Sequence, residues 1–241
     1  MDDRSHWDRV YGTRSAEEMS WFQPHAARSV AIIRRIARDG ACRVVDVGGG
    51  ASTLVDDLLE LPDVGVTVLD ISATALAVAR QRLGRRAEHV HWLVGDITEM
   101  ELPRHAYDVW HDRAVFHFLT SPEQRSAYVA QVRHAVRPGG HIIVAAFAPD
   151  GPLQCSGLPV VRYSPPALHA QFGDAFELVE HATEAHRTPA GIAQQFIYCH
   201  FTAPSGPWSP GHPHEPERVN AGSVTTGPMP SSGKHIKGHR Q

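Results

Sequence analysis

The chain has 241 residues, of which 42% are hydrophobic and 20% are charged, and its formal net charge is −3. This composition supports one ordinary core, and without an overall positive charge the chain is not expected to bind nucleic acid. The only lysines, Lys234 and Lys237, lie in the last eight residues. The rest of the chain therefore lacks the lysine of a P-loop, of a pyridoxal Schiff base or of a Tyr-x-x-x-Lys dehydrogenase pair.

The cysteines and the apolar runs indicate the cellular compartment of the protein. Cys42, Cys155 and Cys199 are widely separated and form neither a Cys-x-x-Cys metal motif nor a disulfide framework, which predicts a reducing compartment. The chain begins with charged residues, and its longest apolar run, residues 142–148, is too short to cross a bilayer. We expect a soluble, cytoplasmic protein with no metal ion and no membrane contact.

The body of the chain alternates between helical segments and short hydrophobic runs, which favours an α/β fold. Two helices are expected before residue 40. Five buried strands are predicted at 43–47, 66–70, 90–94, 107–110 and 141–147. Helices are predicted at 52–60, at 72–83 with Ser72 as N-cap, and at 121–136 with Ser121 as N-cap. Continuous hydrophobicity in the strands indicates a parallel sheet that is covered on both faces.

The segments after the fifth strand change character. Residues 137–140 before that strand read as a breaker and a tight turn, and a loop is expected at 149–163, followed by a helix near 165–172. Alternating segments at 176–181 and 195–201 predict an antiparallel hairpin. From Pro204 the composition turns to Pro, Gly, Ser and His, which predicts a disordered tail; its charge of +2 leaves −5 on residues 1–203.

A glycine-rich turn after the first predicted strand is the strongest functional signal. Asp46 ends the strand and is followed by Gly48 and Gly50 at the opening of a helix. Glycines there allow a ligand to approach the backbone closely, although a dinucleotide fingerprint would need a third glycine at Thr53. Asp46 would repel a pyrophosphate but attract an ammonium or sulfonium group.

Two further acids follow predicted strands. Asp70 lies at the end of the second strand, where a carboxylate can accept both hydroxyls of a ribose. The third strand ends in Gly95-Asp96-Ile97, which places an acid and an aliphatic side chain where they suit an adenine amino group and ring face. Because Asp46, Asp70 and Asp96 all follow successive strands, we expect them at one edge of the sheet, where ligands bind.

These features together resemble the class I S-adenosylmethionine-dependent methyltransferases over roughly residues 40–202. The resemblance rests on Asp46-x-Gly48-x-Gly50, Asp70, Gly95-Asp96-Ile97, Tyr107-Asp108 and Val136-Arg137-Pro138-Gly139-Gly140. It implies a doubly wound, seven-stranded, mostly parallel sheet with a C-terminal antiparallel hairpin, and S-adenosylmethionine as cofactor. It also implies that the glycine turn lies under the methionine part, Asp70 at the ribose and Asp96 with Ile97 at the adenine, and Ile71 is a further expected cofactor contact.

The fourth strand and the N-terminal segment supply the remaining candidates. In the resembled fold the end of the fourth strand faces the transferred methyl group, so His111 and Asp112 are the expected acceptor contacts or proton carriers. A local ion pair between Asp112 and Arg113 is the alternative. Trp21 and Tyr11, in a segment weakly similar to protein-lysine methyltransferases and related bacterial enzymes, are expected either to cover the cofactor as a lid or to pack in the core.

The sequence thus predicts three parts: a helical lid at 1–39, a methyltransferase domain at 40–203 and a disordered tail at 204–241. The expected reaction is methyl transfer to an N, O or S nucleophile of a small molecule. Methylation of a protein lysine remains an alternative, because the acidic body and Asp112 suit a cationic acceptor. A non-catalytic or nicotinamide nucleotide-binding protein is the alternative from another class.

Overall fold

The computed structural model describes residues 3–206, and all structural statements below concern these residues. The helices are α1 Asp3–Thr13, α2 Ala27–Ile36, α3 Leu54–Leu58, α4 Ala73–Leu83, α5 Pro122–Ala135 and α6 Pro165–Phe172. The strands are β1 Cys42–Val47, β2 Val64–Asp70, β3 Val90–Val94, β4 Tyr107–Arg113, β5 Val136–Phe147, β6 Gln154–Cys155, β7 Leu158–Pro159, β8 Glu177–Arg187 and β9 Ala193–Thr202. From residue 207 onward, the predicted disordered tail lies outside the described residues.

Seven strands form one sheet in the order β3-β2-β1-β4-β5-β9-β8. Strands β1 to β5 run parallel to one another, and β9 is antiparallel to both β5 and β8. The predicted fold class is therefore confirmed. The loop expected at 149–163 contains a small antiparallel hairpin, β6–β7, that was not predicted.

Both faces of the sheet are covered, as the hydrophobic strands indicate. In β1, Val44 and Val45 are each 0% exposed, and they belong to two different hydrophobic clusters. Successive side chains of a strand point to opposite faces, so the two clusters lie on either side of the sheet. One contains Tyr128 of α5, and the other contains Ile33 of α2.

Local sequence explains where the long helices begin. The Ser72 hydroxyl accepts a hydrogen bond from the backbone N–H of Ala75 at 3.1 Å, which caps α4. Ser121 and Gln124 form a reciprocal capping box at the start of α5, with both bonds at 3.2 Å. These caps satisfy N–H groups that the helix itself leaves unpaired, and both were predicted.

The prediction of a separate turn at 137–140 was wrong. Strand β5 already begins at Val136, which pairs with Tyr107, and the next pair in the ladder joins His141 to Val109. Four residues of β5, 137–140, thus lie opposite the single residue Asp108 of β4, and Gly139 takes φ +69° within them. The strand accommodates the glycines as an irregularity in its register.

Candidate active site

The chain turns sharply after β1 because two glycines adopt left-handed backbone conformations. Gly48 has φ +67° and Gly50 has φ +45°, a region that favours glycine. The Gly48 N–H donates to the carbonyl oxygen of Leu69 at 2.7 Å and holds the turn against β2. A Cβ on Gly48 would overlap the side chain of Val115, and a Cβ on Gly50 would lie 2.8 Å from the Tyr11 hydroxyl. Neighbouring side chains therefore approach both glycines too closely for a larger residue.

Asp70 ends β2 and is only 6% exposed. Its Oδ1 accepts a hydrogen bond from the Ser72 N–H at 2.8 Å, which fixes the carboxyl group. Burial raises the pKa of Asp70 to about 7, and the charges of Asp46 and Asp8 act in the same direction. A carboxylate in this position gains from a ligand that donates hydrogen bonds to it.

Asp96 and Ile97 follow β3 at the same edge of the sheet. Asp96 Oδ1 accepts hydrogen bonds from the Thr98 N–H at 2.8 Å and the Thr98 hydroxyl at 2.7 Å. Ile97 is 4% exposed. The local turn thus holds an oriented carboxyl group beside an apolar surface.

A cavity lies along this edge of the sheet, at the ends of β1 to β4. Seven of the predicted site residues line it: Tyr11, Trp21, Gly48, Asp70, Ile71, Asp96 and Ile97. Gly50 does not line it, because Tyr11 and Asp70 cover that part of the turn. The predicted residues of β1 to β3 and of the N-terminal segment are therefore largely brought together.

Aromatic side chains from the N-terminal segment line the cavity. The ring centroid of Trp7 lies 6.3 Å from that of Tyr11, 5.7 Å from that of Trp21 and 5.2 Å from that of Phe118. All four rings line the cavity. These rings form an aromatic part of the cavity wall.

A carboxylate in α1 joins the N-terminal segment to the start of α4. Asp8 Oδ1 accepts hydrogen bonds from the Ser72 hydroxyl at 2.6 Å and from the Thr74 N–H at 3.2 Å. The bond from Ser72 lowers the pKa of Asp8. The contact joins the N-terminal segment to the element that directly follows Asp70.

His111 is buried in a hydrogen-bonded chain. Its Nδ1 lies 2.7 Å from Asp46 Oδ1, and its Nε2 lies 2.8 Å from the Ser29 hydroxyl. His111 and Asp46 line a second cavity, which shares Trp21, Gly48 and Arg113 with the first. Because both ring nitrogens are engaged, the position of His111 supports orientation of Asp46 and does not support the expected proton transfer.

The expectation that Asp112 faces the acceptor is corrected by its position. Asp112 is 0% exposed and lines neither cavity. It accepts hydrogen bonds from the N–H groups of Val115 and Phe116, at 2.8 and 3.0 Å, and from the Tyr128 hydroxyl at 2.6 Å. Neighbouring residues of a strand point to opposite faces, so Asp112 lies on the face of the sheet opposite His111. Burial raises the pKa of Asp112 to about 6.

We expect Asp112→Asn to lower stability, because the amide NH₂ cannot accept the Phe116 N–H bond. An unsatisfied buried group costs about 1–3 kcal/mol, which urea denaturation measures. Tyr128→Phe is the matched control, since it removes a bond from the same network at a site away from the cavity. If Asp112→Asn abolished turnover at unchanged stability, Asp112 would act in the reaction after all.

Sequence reasoning missed Arg113 as a cavity residue and treated it only as a partner of Asp112. Arg113 instead donates to the Tyr198 hydroxyl at 3.1 Å and to the Trp21 carbonyl oxygen at 2.9 Å. The alternation of side chains along β4 could have identified Arg113, because it lies two residues after His111 and therefore on the same face of the sheet.

Within residues 3–206 no group of three or more His, Cys, Asp or Glu side chains is arranged to hold a metal ion. Over the same range, no helix has the length and apolarity needed to cross a membrane.

Residues 44–140 match a family model described as a methyltransferase domain. The chain is 32% identical over 121 residues to the malonyl-[acyl-carrier protein] O-methyltransferase of Halalkalibacterium halodurans, covering 48% of this chain and 43% of that protein. It is 30% identical over 129 residues to the ubiquinone/menaquinone biosynthesis C-methyltransferase of Methylobacterium nodulans, covering 52% and 50%. The chain spans about half the length of these curated relatives.

A solved structure shares the fold. The N-methyltransferase NodS of Bradyrhizobium japonicum, in complex with S-adenosyl-L-homocysteine, superposes with a TM-score of 0.63 over 82% of this chain and 98% of that chain, at 19% identity. The likeness supports the seven-stranded fold described above.

Proposed function

We propose that the chain is a class I S-adenosylmethionine-dependent methyltransferase, which the methyltransferase-domain model matched by residues 44–140 supports, and that it transfers a methyl group from S-adenosylmethionine to a nitrogen, oxygen or sulfur nucleophile. One observation carries the proposal. Gly48, Asp70 and Asp96, from the ends of three neighbouring strands, line a single cavity.

The lining residues fit this cofactor. Asp70 is placed to accept hydrogen bonds from the two ribose hydroxyls. Its pKa is raised because burial disfavours the charged carboxylate, and hydrogen bonds from the ribose would stabilise that charge. Asp96 would accept a bond from the adenine amino group, with Ile97 and Ile71 against the ring. Gly48 packs closely against Val115, and a Cβ at this position would overlap the valine side chain.

The signs of the charges favour this cofactor over a dinucleotide. Asp70 and Asp96 line the first cavity, and Asp46 lines the second. Carboxylates disfavour a pyrophosphate and favour a ligand that carries ammonium and sulfonium charges. The nicotinamide nucleotide alternative is therefore weakened.

In this proposal the chain's own residues place the acceptor in line with the methyl group and exclude water from the cavity. S-Adenosylmethionine, when bound, supplies an electrophilic methyl group on a sulfonium sulfur. Beyond β4 the cavity is lined by Ala114, Val115, Phe118, Leu119, Gln124 and Cys155. None of these described residues is a carboxylate or an imidazole, so we propose that in-line placement accounts for the acceleration and that the acceptor needs no protein base.

A small molecule is the acceptor that we propose. The aromatic cover formed by Trp7, Tyr11, Trp21 and Phe118 limits the space above the cavity. The two curated relatives are named for a carrier-bound malonyl group and for quinone biosynthesis. Because Asp112 faces the core, the carboxylate that suited a protein lysine is absent from the cavity wall.

We also propose the part that each segment plays. Residues 1–39 act as a lid, since Trp7, Tyr11 and Trp21 cover the cavity, and residues 40–203 form the methyltransferase domain. The three cysteines, Cys42, Cys155 and Cys199, are buried and unpaired, which suits a reducing, cytoplasmic location.

Thermal unfolding with S-adenosylhomocysteine and with NAD tests the proposal. A ligand at 100 times its dissociation constant stabilises the folded state by about 2.7 kcal/mol. We expect a clear rise in Tm with S-adenosylhomocysteine and none with NAD. A rise with NAD alone would contradict the proposed function.

A further inference from the structure

A further cavity, which we call the basic cavity, lies near the start of β4 and away from the candidate active site. The segment before β4, helix α5 and helix α6 form its wall. Arg104 and His105 of this wall precede Tyr107, the first residue of β4, whereas Arg113 ends that strand and lines the first cavity. The basic cavity shares no lining residue with either cavity of the candidate active site. It is therefore a separate feature of the molecule.

The polar side chains of the basic cavity are hydrogen-bond donors. They are Arg104, His105, Ser126, Arg133, His134 and Gln171. Guanidinium groups can only donate, and imidazole and hydroxyl groups each offer a donor. Gln171 accepts a hydrogen bond from Arg125 Nε through its Oε1 at 2.8 Å, which leaves its amide NH₂ to donate. No Asp or Glu lines the cavity.

The charge of this wall is opposite to that of the protein body. Residues 1–203 carry a net charge of −5, yet the basic cavity combines two arginines and two histidines. Within residues 3–206, Arg104, His105 and His134 form no ion pair with a carboxylate. A local concentration of positive charge in an acidic protein attracts anions to that place.

Backbone contacts hold the basic groups around the cavity. The His105 N–H donates to the His134 carbonyl oxygen at 2.9 Å, which joins the segment before β4 to the last turn of α5. This bond also occupies a carbonyl group at the negative end of the helix, where it would otherwise oppose an anion. Arg133 Nη2 donates to the Phe172 carbonyl oxygen at 3.2 Å and ties α5 to α6.

Donors that come from three elements and surround one cavity suit a tetrahedral oxyanion. Such an anion accepts hydrogen bonds from several directions, and guanidinium groups bind phosphate oxygens well. We propose that the basic cavity binds a phosphate group, with Arg104 and Arg133 as its charged contacts and His105, Ser126 and His134 beside them. This site requires neither the cofactor nor the methyl acceptor, so it is independent of the proposed methyl transfer.

Calorimetric titration in a phosphate-free buffer of low ionic strength tests the site, because salt screens charges at the protein surface. Pyrophosphate represents a free inorganic ligand, glycerol 3-phosphate represents a phosphorylated small molecule, and acetate represents a planar anion. We expect one or both phosphate compounds to bind, and acetate to bind at least tenfold more weakly. The phosphate compound that binds more tightly identifies the source of the group.

Arg104→Gln should weaken the binding of the phosphate compound by about tenfold, the value of a hydrogen bond to a charged group. Arg104 is exposed, so the variant should keep the wild-type Tm. Arg85→Gln is the matched control, because Arg85 is exposed and lines none of these three cavities. It should bind as the wild type does.

Saturating S-adenosylhomocysteine separates the basic cavity from the candidate active site. We expect the phosphate compound to bind equally well in its presence, since the two sites share no residue. The proposal would be overturned if neither phosphate compound bound, if acetate bound as tightly, or if S-adenosylhomocysteine displaced the phosphate compound. Equal affinities of Arg104→Gln and Arg85→Gln would also overturn it. None of these results would change the proposed function.

Discussion

Gly48→Val should abolish measurable binding of S-adenosylhomocysteine. The valine would take φ +67°, a region that β-branched residues avoid, and its Cβ would overlap Val115, which lines the cavity. The backbone strain alone is of the order of 1–3 kcal/mol, and movement of Val115 would fill the space intended for the ligand. Calorimetric titration measures the loss, which we expect to exceed about 100-fold, or roughly 2.7 kcal/mol.

Gly65→Val is the matched control for this substitution. Gly65 lies in β2, where a Cβ would meet only the Arg43 side chain at 3.8 Å. We expect this variant to bind S-adenosylhomocysteine as the wild type does. Near wild-type affinity in Gly48→Val would show that the ligand does not approach the glycine turn.

Asp70→Asn should weaken ligand binding and stabilise the ligand-free protein. The variant loses a charge-assisted acceptor for the ribose hydroxyls, which costs about 1.5–3 kcal/mol of binding free energy. It also removes a buried charge whose pKa is raised from 3.8 to about 7. That rise corresponds to roughly 4 kcal/mol at most, so the gain in unfolding free energy at pH 8 is of that order.

The sign of the pH dependence follows from the same pKa. Between pH 4 and 7 the folded protein keeps a proton on Asp70 that the unfolded chain releases. The contribution of Asp70 to stability therefore falls as pH rises through this window. The difference in unfolding free energy between Asp70→Asn and wild type should grow from pH 5 to pH 8, and urea denaturation at both values measures it. The other titrating groups contribute equally to both proteins, so they cancel in the difference between the two unfolding free energies. A difference that does not change with pH would contradict the raised pKa of Asp70.

The fold was predictable because the central parallel strands, β1, β2, β4 and β5, are largely buried on both faces. Runs such as Val66–Asp70 and His141–Phe147 are hydrophobic without alternation, which indicates a sheet covered by helices. Ser72 and Ser121 correctly predicted the starts of α4 and α5, because an N-cap bonds to backbone N–H groups only a few residues further along the chain. The start of β5 was not predictable, because pairing with β4 overrides the turn preference of residues 137–140.

The candidate site was predictable where it depends on strand ends. Carboxyl ends of parallel strands meet at one edge, so Asp70 and Asp96 line one cavity, as expected from their positions. The expectation for Asp112 ignored the alternation of side chains, which turns it to the face opposite His111 and Arg113. The basic cavity depends on the arrangement of Arg104 and His134, distant in sequence, and only the three-dimensional structure reveals it.

A crystal structure of the protein with S-adenosylhomocysteine tests the central claim most directly. The account predicts the ribose hydroxyls within hydrogen-bond distance of Asp70, the adenine beside Asp96 and Ile97, and the amino acid beyond Gly48. A nucleoside bound outside the cavity that these residues line would contradict the assignment of the site.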